Sequence, residues 1–397
     1  MTNGEQRVTT IPLMIATQEP PAYPLTRPRP PTLYTAKITD LKNTDQLKDT
    51  WTSVQATVHD APFFLTWPWI SIWLETYNPQ CLQLTGYCGQ QAVCVGLLTR
   101  SYVKRRKLIG ARQLRLHQTG IQSQDQIWIE YNDFLVSEQH RAAAVSACLK
   151  TLASLTDWDE LIISMMPRNR TKQVQRCFHR SRILMTAPAY AVSLSPFGRD
   201  PAKYMPSLSP NTRYQIRRSA RDYRMQHGNI SLEIAATEER AITLFHLAGS
   251  LHKTRWSDSG FNNAEFVRFH EHLIRSTFAS GKTAILSITA GNHLIGVLYF
   301  LIDNTTAYFY LQGLNYDNNP KLKPGLLAHQ LAIEYFIARG LQVYDFMGGH
   351  SQYKQQLGTL TQNLDSFLIQ RPRPRFFIEN LARSLKDRLI SFGTDSR

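Results

Sequence analysis

Val343-Tyr344-Asp345-Phe346-Met347-Gly348-Gly349, followed closely by Tyr353-Lys354, is the stretch on which the fold turns. Residues 343–347 predict a strand that is apolar except for Asp345. A carboxylate inside an otherwise buried strand must be paired or functional. The glycine pair lets a backbone or a ligand come close. Upstream, Gly325–Arg339 predicts a helix, with Leu327, Leu331, Ile333 and Phe336 at helical spacing and Gly340 closing it. Before it, Thr306–Leu314 predicts another strand. The helix starts at Gly325 with no side chain to cover its free amides. Open amides at a helix start form an anion site, and Lys321 and Lys323 stand directly before it. This strand–loop–helix arrangement suits the pyrophosphate of a large cofactor.

The same order of elements occurs twice. In the first half, 45–54 and 63–76 read as helices, 82–88 and 92–102 as a hairpin, and 127–136 as a strand. A helix (138–155), a strand (161–166), a short helix (170–179) and a strand (190–194) follow. In the second half, 204–226 is a helix interrupted by prolines, 230–234 a strand, and 237–253 and 264–280 helices. A hairpin turns about Gly291-Asn292. The strand–helix–strand described above, a strand at 366–370 and a helix at 376–389 complete the series. The repeat is one of supersecondary order, not of sequence. It implies a mixed α/β (α+β) fold with two domains, at 41–195 and 196–375. A Pro-rich disordered tail (1–40) precedes them and a basic helix or tail (376–397) follows.

Composition narrows the classes. The 397 residues are 43% hydrophobic, enough for packed cores. No apolar run approaches the roughly 18–20 residues of a membrane span. The start lacks a signal pattern, so a cytoplasmic protein without integral membrane contact is expected. Five scattered cysteines and no CxxC pair leave neither a disulfide framework nor a zinc site. His270 and His272 would point about 200° apart on a helix, so they share no metal face. Ser280-Gly281-Lys282-Thr283 lacks the upstream glycine of a P-loop and runs from helix to strand, the wrong order. Neither a dinucleotide fingerprint nor a nucleophile elbow occurs. The net charge of +15 collects at Arg100–Arg115, Arg199–Arg224 and beyond Arg371. It suits an anionic partner, but no nucleic-acid-binding signature accompanies it.

Tyr344–Gly358, YDFMGGHSQYKQQLG, resembles the closing motif of GNAT-fold acyltransferases of the BioF-like and Fem-like (FemAB-type) branch, which carry two GNAT domains in tandem. Four further stretches resemble that family in the expected order. They are the basic helix Tyr204–Arg218, Leu251–Phe261 with its basic-aromatic turn, the strand Asn292–Tyr299, and the cofactor-side helix Pro324–Gly340. The likeness spans roughly residues 45–375 and is thinner in the first half. It implies an N-acyltransferase that carries an acyl group from acyl-CoA to an amine of a small or sugar/envelope-type acceptor. The family's phosphate loop has more glycines than Lys321–Leu326, where Gly325 stands alone. Fem-type enzymes have a similarly reduced loop and take aminoacyl groups from tRNA. An aminoacyl-tRNA-dependent transferase, with the basic patches on tRNA, is therefore the alternative. A non-catalytic GNAT-fold protein of polysaccharide assembly is another.

Residue roles follow from the resemblance together with the chemistry of acyl transfer, which needs a deprotonated amine and a polarised carbonyl. Lys354, after the aromatic Tyr353, matches the family's charge-stabilising lysine. Tyr353 is a candidate proton donor. Asp345 is a candidate base, or else ties down the Gly348-Gly349 turn. The donor is expected at Gln312, Gly313, Lys321, Lys323, Gly325 and Leu326. The acceptor is expected at Arg213, Arg217, Arg255, Trp256, Asp133, Gly348 and Gly349. Glu130-Tyr131-Asn132-Asp133 resembles an acidic family motif whose carboxylates would deprotonate an amine, and Glu130 and Asp133 also fit a solvent-facing strand end. No metal is expected.

Overall fold

The computed structural model describes residues 33–105, 109–178 and 180–380. The first half runs β1 (Tyr34–Asp40), α1 (Thr44–Gln55), α2 (Trp67–Tyr77), β2 (Cys81–Cys88), β3 (Gln91–Arg105), β4 (Ile109–Leu116), β5 (Leu135–Val136), α3 (Glu138–Ser154), β6 (Glu160–Pro167), α4 (Arg168–Arg176) and β7 (Ser181–Ser193). The second half runs α5 (Tyr204–Ser207), α6 (Pro210–His227), β8 (Ile230–Ile234), α7 (Glu238–Arg255), α8 (Ala264–Thr277), β9 (Thr283–Ala290), β10 (His293–Ile302), β11 (Thr306–Leu314), α9 (Pro324–Arg339), β12 (Val343–Gly348), α10 (Gln352–Leu357) and β13 (Thr359–Gln370).

Local chemistry sets the helix boundaries. Ser209 caps α6 through its hydroxyl, with Pro210 at the first helical position. Thr237 caps α7, whose first turn is acidic and last turn basic, matching the helix dipole. Gly340 ends α9 in the left-handed conformation.

Among the described residues one mixed sheet joins both halves. Its strand order is β1-β2-β3-β4-β6-β13-β7-β12-β11-β10-β9-β8, with β5 beside β3. The last strand of each half crosses into the other. β13 pairs antiparallel with β6, β7 pairs antiparallel with β12, and the two pair with each other. The two halves share a seam built from these exchanged strands.

Three apolar clusters cover this sheet. On one face, α1 and α2 meet α7 and α8 across the seam, with Trp69 edge-on to Phe269 at 4.9 Å. On the other face, α3 and α4 cover the first half and α6 and α9 the second. Alternation along β10 divides the faces: Val297, Tyr299 and Leu301 go to one cluster, Leu298 and Phe300 to the other. Each large ring buried in this way stabilises by about 2–3 kcal/mol.

Four expectations change. Residues 34–40 are a strand, not tail, because Ile38 and its neighbours pair with β2. Residues 127–136 are not a strand: Trp128 and Tyr131 are left-handed, and only Leu135–Val136 pair. Ile109–Leu116, to which the sequence reading gave no element, is β4 and pairs with β3 and β6. Residues 352–357 form a helix that was not expected. The Pro-rich lead through residue 32, Arg106 and Lys107 of the basic run, and the end beyond 380 lie outside the described residues.

Candidate active site

β11 and β12 form a parallel ladder only at Thr306–Val343, Ala307–Tyr344 and Tyr308–Asp345. Beyond these pairs the strands share no ladder. Met347, left-handed at φ 60°, turns the end of β12 aside. Into this split opens a cleft of about 550 Å³. Phe309–Leu311 and Phe346–Gly348 wall it from the second half. Trp128–Glu130, Ser164 and Met165 wall it from the first.

Glu130 and Lys354 face this cleft from opposite halves. The Glu130 carboxylate accepts a 2.6 Å hydrogen bond from the Gly348 amide. The Lys354 ammonium donates to the Gly348 carbonyl at 2.6 Å and to the Met347 carbonyl at 3.4 Å. Gly348 is the hinge of this arrangement. A Cβ there would meet Met165 Cε at 2.8 Å and Glu130 Oε2 at 3.1 Å. Burial raises the Glu130 carboxyl to about 7, against the pull of the Gly348 amide and the Lys354 charge. Burial lowers Lys354, which Glu130 and Asp345 oppose.

Asp345 sits behind this cluster. Its Oδ2 accepts from the Tyr131 hydroxyl at 2.7 Å, and its Oδ1 from the Met347 amide at 2.6 Å. Burial raises it to about 6. Asp345 and Tyr131 line a separate cavity of about 740 Å³, not the cleft. The geometry is that of a carboxylate tying down the turn into Gly348.

The other expected residues divide. Tyr353 stacks on His329, with ring centroids 4.7 Å apart and planes at 8°, and does not line the cleft. Gln312 Oε1 lies 3.1 Å from His329 Nε2. Gly313 packs against the Ala248 carbonyl, where a Cβ would sit 2.3 Å away. No side chain caps the start of α9. Lys321 is exposed there, Leu326 is core, and the Lys323 amide donates to Ser219. None of Gln312, Gly313, Lys321, Lys323, Gly325 and Leu326 lines the cleft.

Arg213 donates to the carbonyls of Pro206 and Leu208, so it braces the turn before α6. Arg217 is exposed. Arg255 lies over Trp256 and Tyr316, a surface cation–π stack. Asp133 is paired with Arg141 and faces the second cavity, not the cleft. Gly349 is left-handed at φ 108°.

Sequence reasoning gave Glu130 no place among the chosen residues. Its strand reading failed at Trp128 and Tyr131, whose left-handed backbones carry no local signal. His329 was read only as part of a helix. It is fully buried, hydrogen-bonded to Tyr344 at 2.6 Å, and lowered by burial to about 3. It is therefore a neutral packing group. Among the described residues no cluster of His, Cys, Asp and Glu could hold a metal.

The parallel strand pair thus splits beside a buried carboxylate and a buried lysine. Residues 210–355 match the family model described as an acetyltransferase (GNAT) domain. Among solved structures, FemX is similar with TM-score 0.55 at 10% identity, covering 86% of this chain and 99% of that one. L-PGS from Bacillus licheniformis is similar with TM-score 0.51 at 8% identity, covering 82% and 92%. The C-terminal domain of a putative lysylphosphatidylglycerol synthetase from Agrobacterium fabrum is similar with TM-score 0.50 at 7% identity, covering 87% and 96%. No curated protein is significantly similar in sequence. The chain shares the fold of FemX, and residues 210–355 within its second half match a GNAT acetyltransferase domain. No described helix is long and apolar enough to cross a membrane.

Proposed function

We propose that this protein transfers an acyl group from acyl-CoA to an amine held in the cleft, with Glu130 as base and Lys354 as the charge-stabilising group. The observation that carries this reading is the Glu130–Gly348–Lys354 cluster at the β11/β12 split. The amine nitrogen attacks the thioester carbonyl carbon. The C–N bond forms, the C–S bond breaks, and Glu130 takes the amine proton. A carboxyl held near 7 suits that task at neutral pH. Lys354 gives two contacts to backbone carbonyls, and its remaining N–H serves the carbonyl oxygen as negative charge develops. The departing thiolate is a good leaving group and takes its proton from solvent. Asp345 positions the turn through the Met347 amide. Transfer is direct, without a covalent enzyme intermediate.

The donor's phosphates fit the uncapped start of α9 with Lys321 and Lys323 beside it. The unpaired edges of the split strands offer backbone groups to the pantetheine amides. Acetyl-CoA titrated into wild type and into Lys321→Ala/Lys323→Ala tests this. Micromolar to low millimolar binding, weakened several-fold in the variant, is expected; no binding by wild type contradicts it.

A second reading rests on the reduced loop, where Gly325 is the lone glycine between Lys321 and Leu326. A Fem-like transferase would take an aminoacyl group from tRNA. Its signature is tRNA retention on filters that falls steeply between two salt concentrations.

A further inference from the structure

Trp128 stands out on the first-half wall of the cleft. It is a bulky aromatic residue held left-handed, at φ 47° and ψ 71°. Such a conformation is costly for any residue but glycine, and it persists only where the surroundings impose it. Here it sets a large indole on the lip of the cleft and leaves it 50% exposed. The fully buried Trp51, Trp69, Trp73 and Trp158 earn their places by packing; Trp128 gains much less that way.

Two features fix what the indole faces. Trp128 stands two residues before Glu130, and both line the same wall of the cleft. Trp128 also lies on the wall opposite β11 and β12, away from the proposed donor edge. The start of α9, where the donor's nucleotide end belongs, does not line the cleft. The ring is therefore on the acceptor side.

The surroundings of the ring carry hydrogen-bonding side chains, amides as well as carboxylates. Gln118 and Gln122 line the same wall, and Gln118 Oε1 is buried without a partner. Asp258 faces them from the second half. An exposed aromatic face beside side-chain amides matches a pyranose, which has an apolar C–H face and a rim of hydroxyls. A linear amine offers the indole its ammonium and methylenes but no ring face to stack.

Resting on the acyl-transfer reading above, we propose that Trp128 is the acceptor-recognition residue: its indole stacks on the ring of an amino sugar and so holds the amine beside the Glu130 carboxylate that receives its proton. Gln118 and Gln122 receive the ring hydroxyls.

Glucosamine is the probe, with cadaverine as the linear amine. Equilibrium binding by calorimetry is measured on wild type, Trp128→Leu and Trp128→Phe. Free-thiol release from acetyl-CoA is followed on the same proteins. Trp128→Leu is expected to weaken glucosamine binding at least tenfold and to raise its KM similarly. Trp128→Phe keeps a ring face, so it restores most of the binding. Rescue of binding and KM together by a ring face is a result that a merely structural Trp128 would not produce. Wild type that binds cadaverine but not glucosamine, or equal glucosamine binding by wild type and Trp128→Leu, overturns the proposal. Glucosamine binding that depends on Trp128 without thiol release leaves Trp128 as the recognition residue and contradicts the acyl-CoA reading instead.

Discussion

Glu130, from the first half of the chain, accepts a 2.6 Å hydrogen bond from the backbone amide of Gly348, at the end of β12 in the second half. This bond closes the candidate site across the seam. Neither half alone holds both the carboxylate and the lysine that flank the split strands.

The first prediction concerns Glu130 and pH. Its folded-state value, about 7, lies above the ordinary 4.5. A raised carboxyl contributes stability below its unfolded value and loses it as pH rises through the folded one. Wild type should therefore lose stability between pH 5 and 8 relative to Glu130→Gln. The gap should reach on the order of 3 kcal/mol at pH 8. Denaturant midpoints of the two proteins across this range measure it.

The second concerns Lys354. Lys354→Ala leaves two carbonyls without their donor and removes the charge aimed at the thioester. Turnover should fall about 10²–10³-fold, the loss typical of one oxyanion donor, while acetyl-CoA still binds. Arg should not rescue, because its fork does not reproduce a point charge on a flexible stem. Steady-state rates beside calorimetric binding separate the two effects.

The third concerns Gly348. In Gly348→Ala the new Cβ crowds Met165 Cε and Glu130 Oε2. The methionine end yields, but the carboxylate moves off its amide. A fall in kcat of about 10–100-fold is expected with little change in melting temperature, since a misplacement near 1 Å costs about that much.

The fourth concerns Arg213, which the sequence placed at the acceptor. Its guanidinium is used on the carbonyls of Pro206 and Leu208. Arg213→Ala should cost about 1–2 kcal/mol of stability and leave KM for the acceptor unchanged. Denaturation and kinetics on one preparation test both.

These outcomes reflect which features a sequence makes legible. The second-half helices and strands were legible because each carries its own periodicity and punctuation. Gly340 after α9 and the hairpin at Gly291-Asn292 are examples. The first half was harder. Arg112 and Arg115 interrupt the apolar pattern of β4, so no strand was read there, although β4 pairs on both sides. Asp345 was singled out as a charged group in an apolar strand, and Lys354 by its place after Tyr353 in the motif that resembles the family's. Glu130 was read within an acidic motif but not chosen, because its tie to the Gly348 amide comes from 218 residues away. The exchange of β7 and β13 leaves no local trace, since either strand would read the same in its own half.

The central claim is acyl transfer to an amine with Glu130 as base. Amine-dependent release of free thiol from acetyl-CoA, followed from pH 5 to 9 on wild type and Glu130→Gln, tests it most directly. The account predicts a wild-type rate that rises through about pH 7 and a variant rate reduced at least 100-fold with that limb gone. A Glu130→Gln profile equal to wild type, or wild type that releases no thiol with any amine, would contradict it.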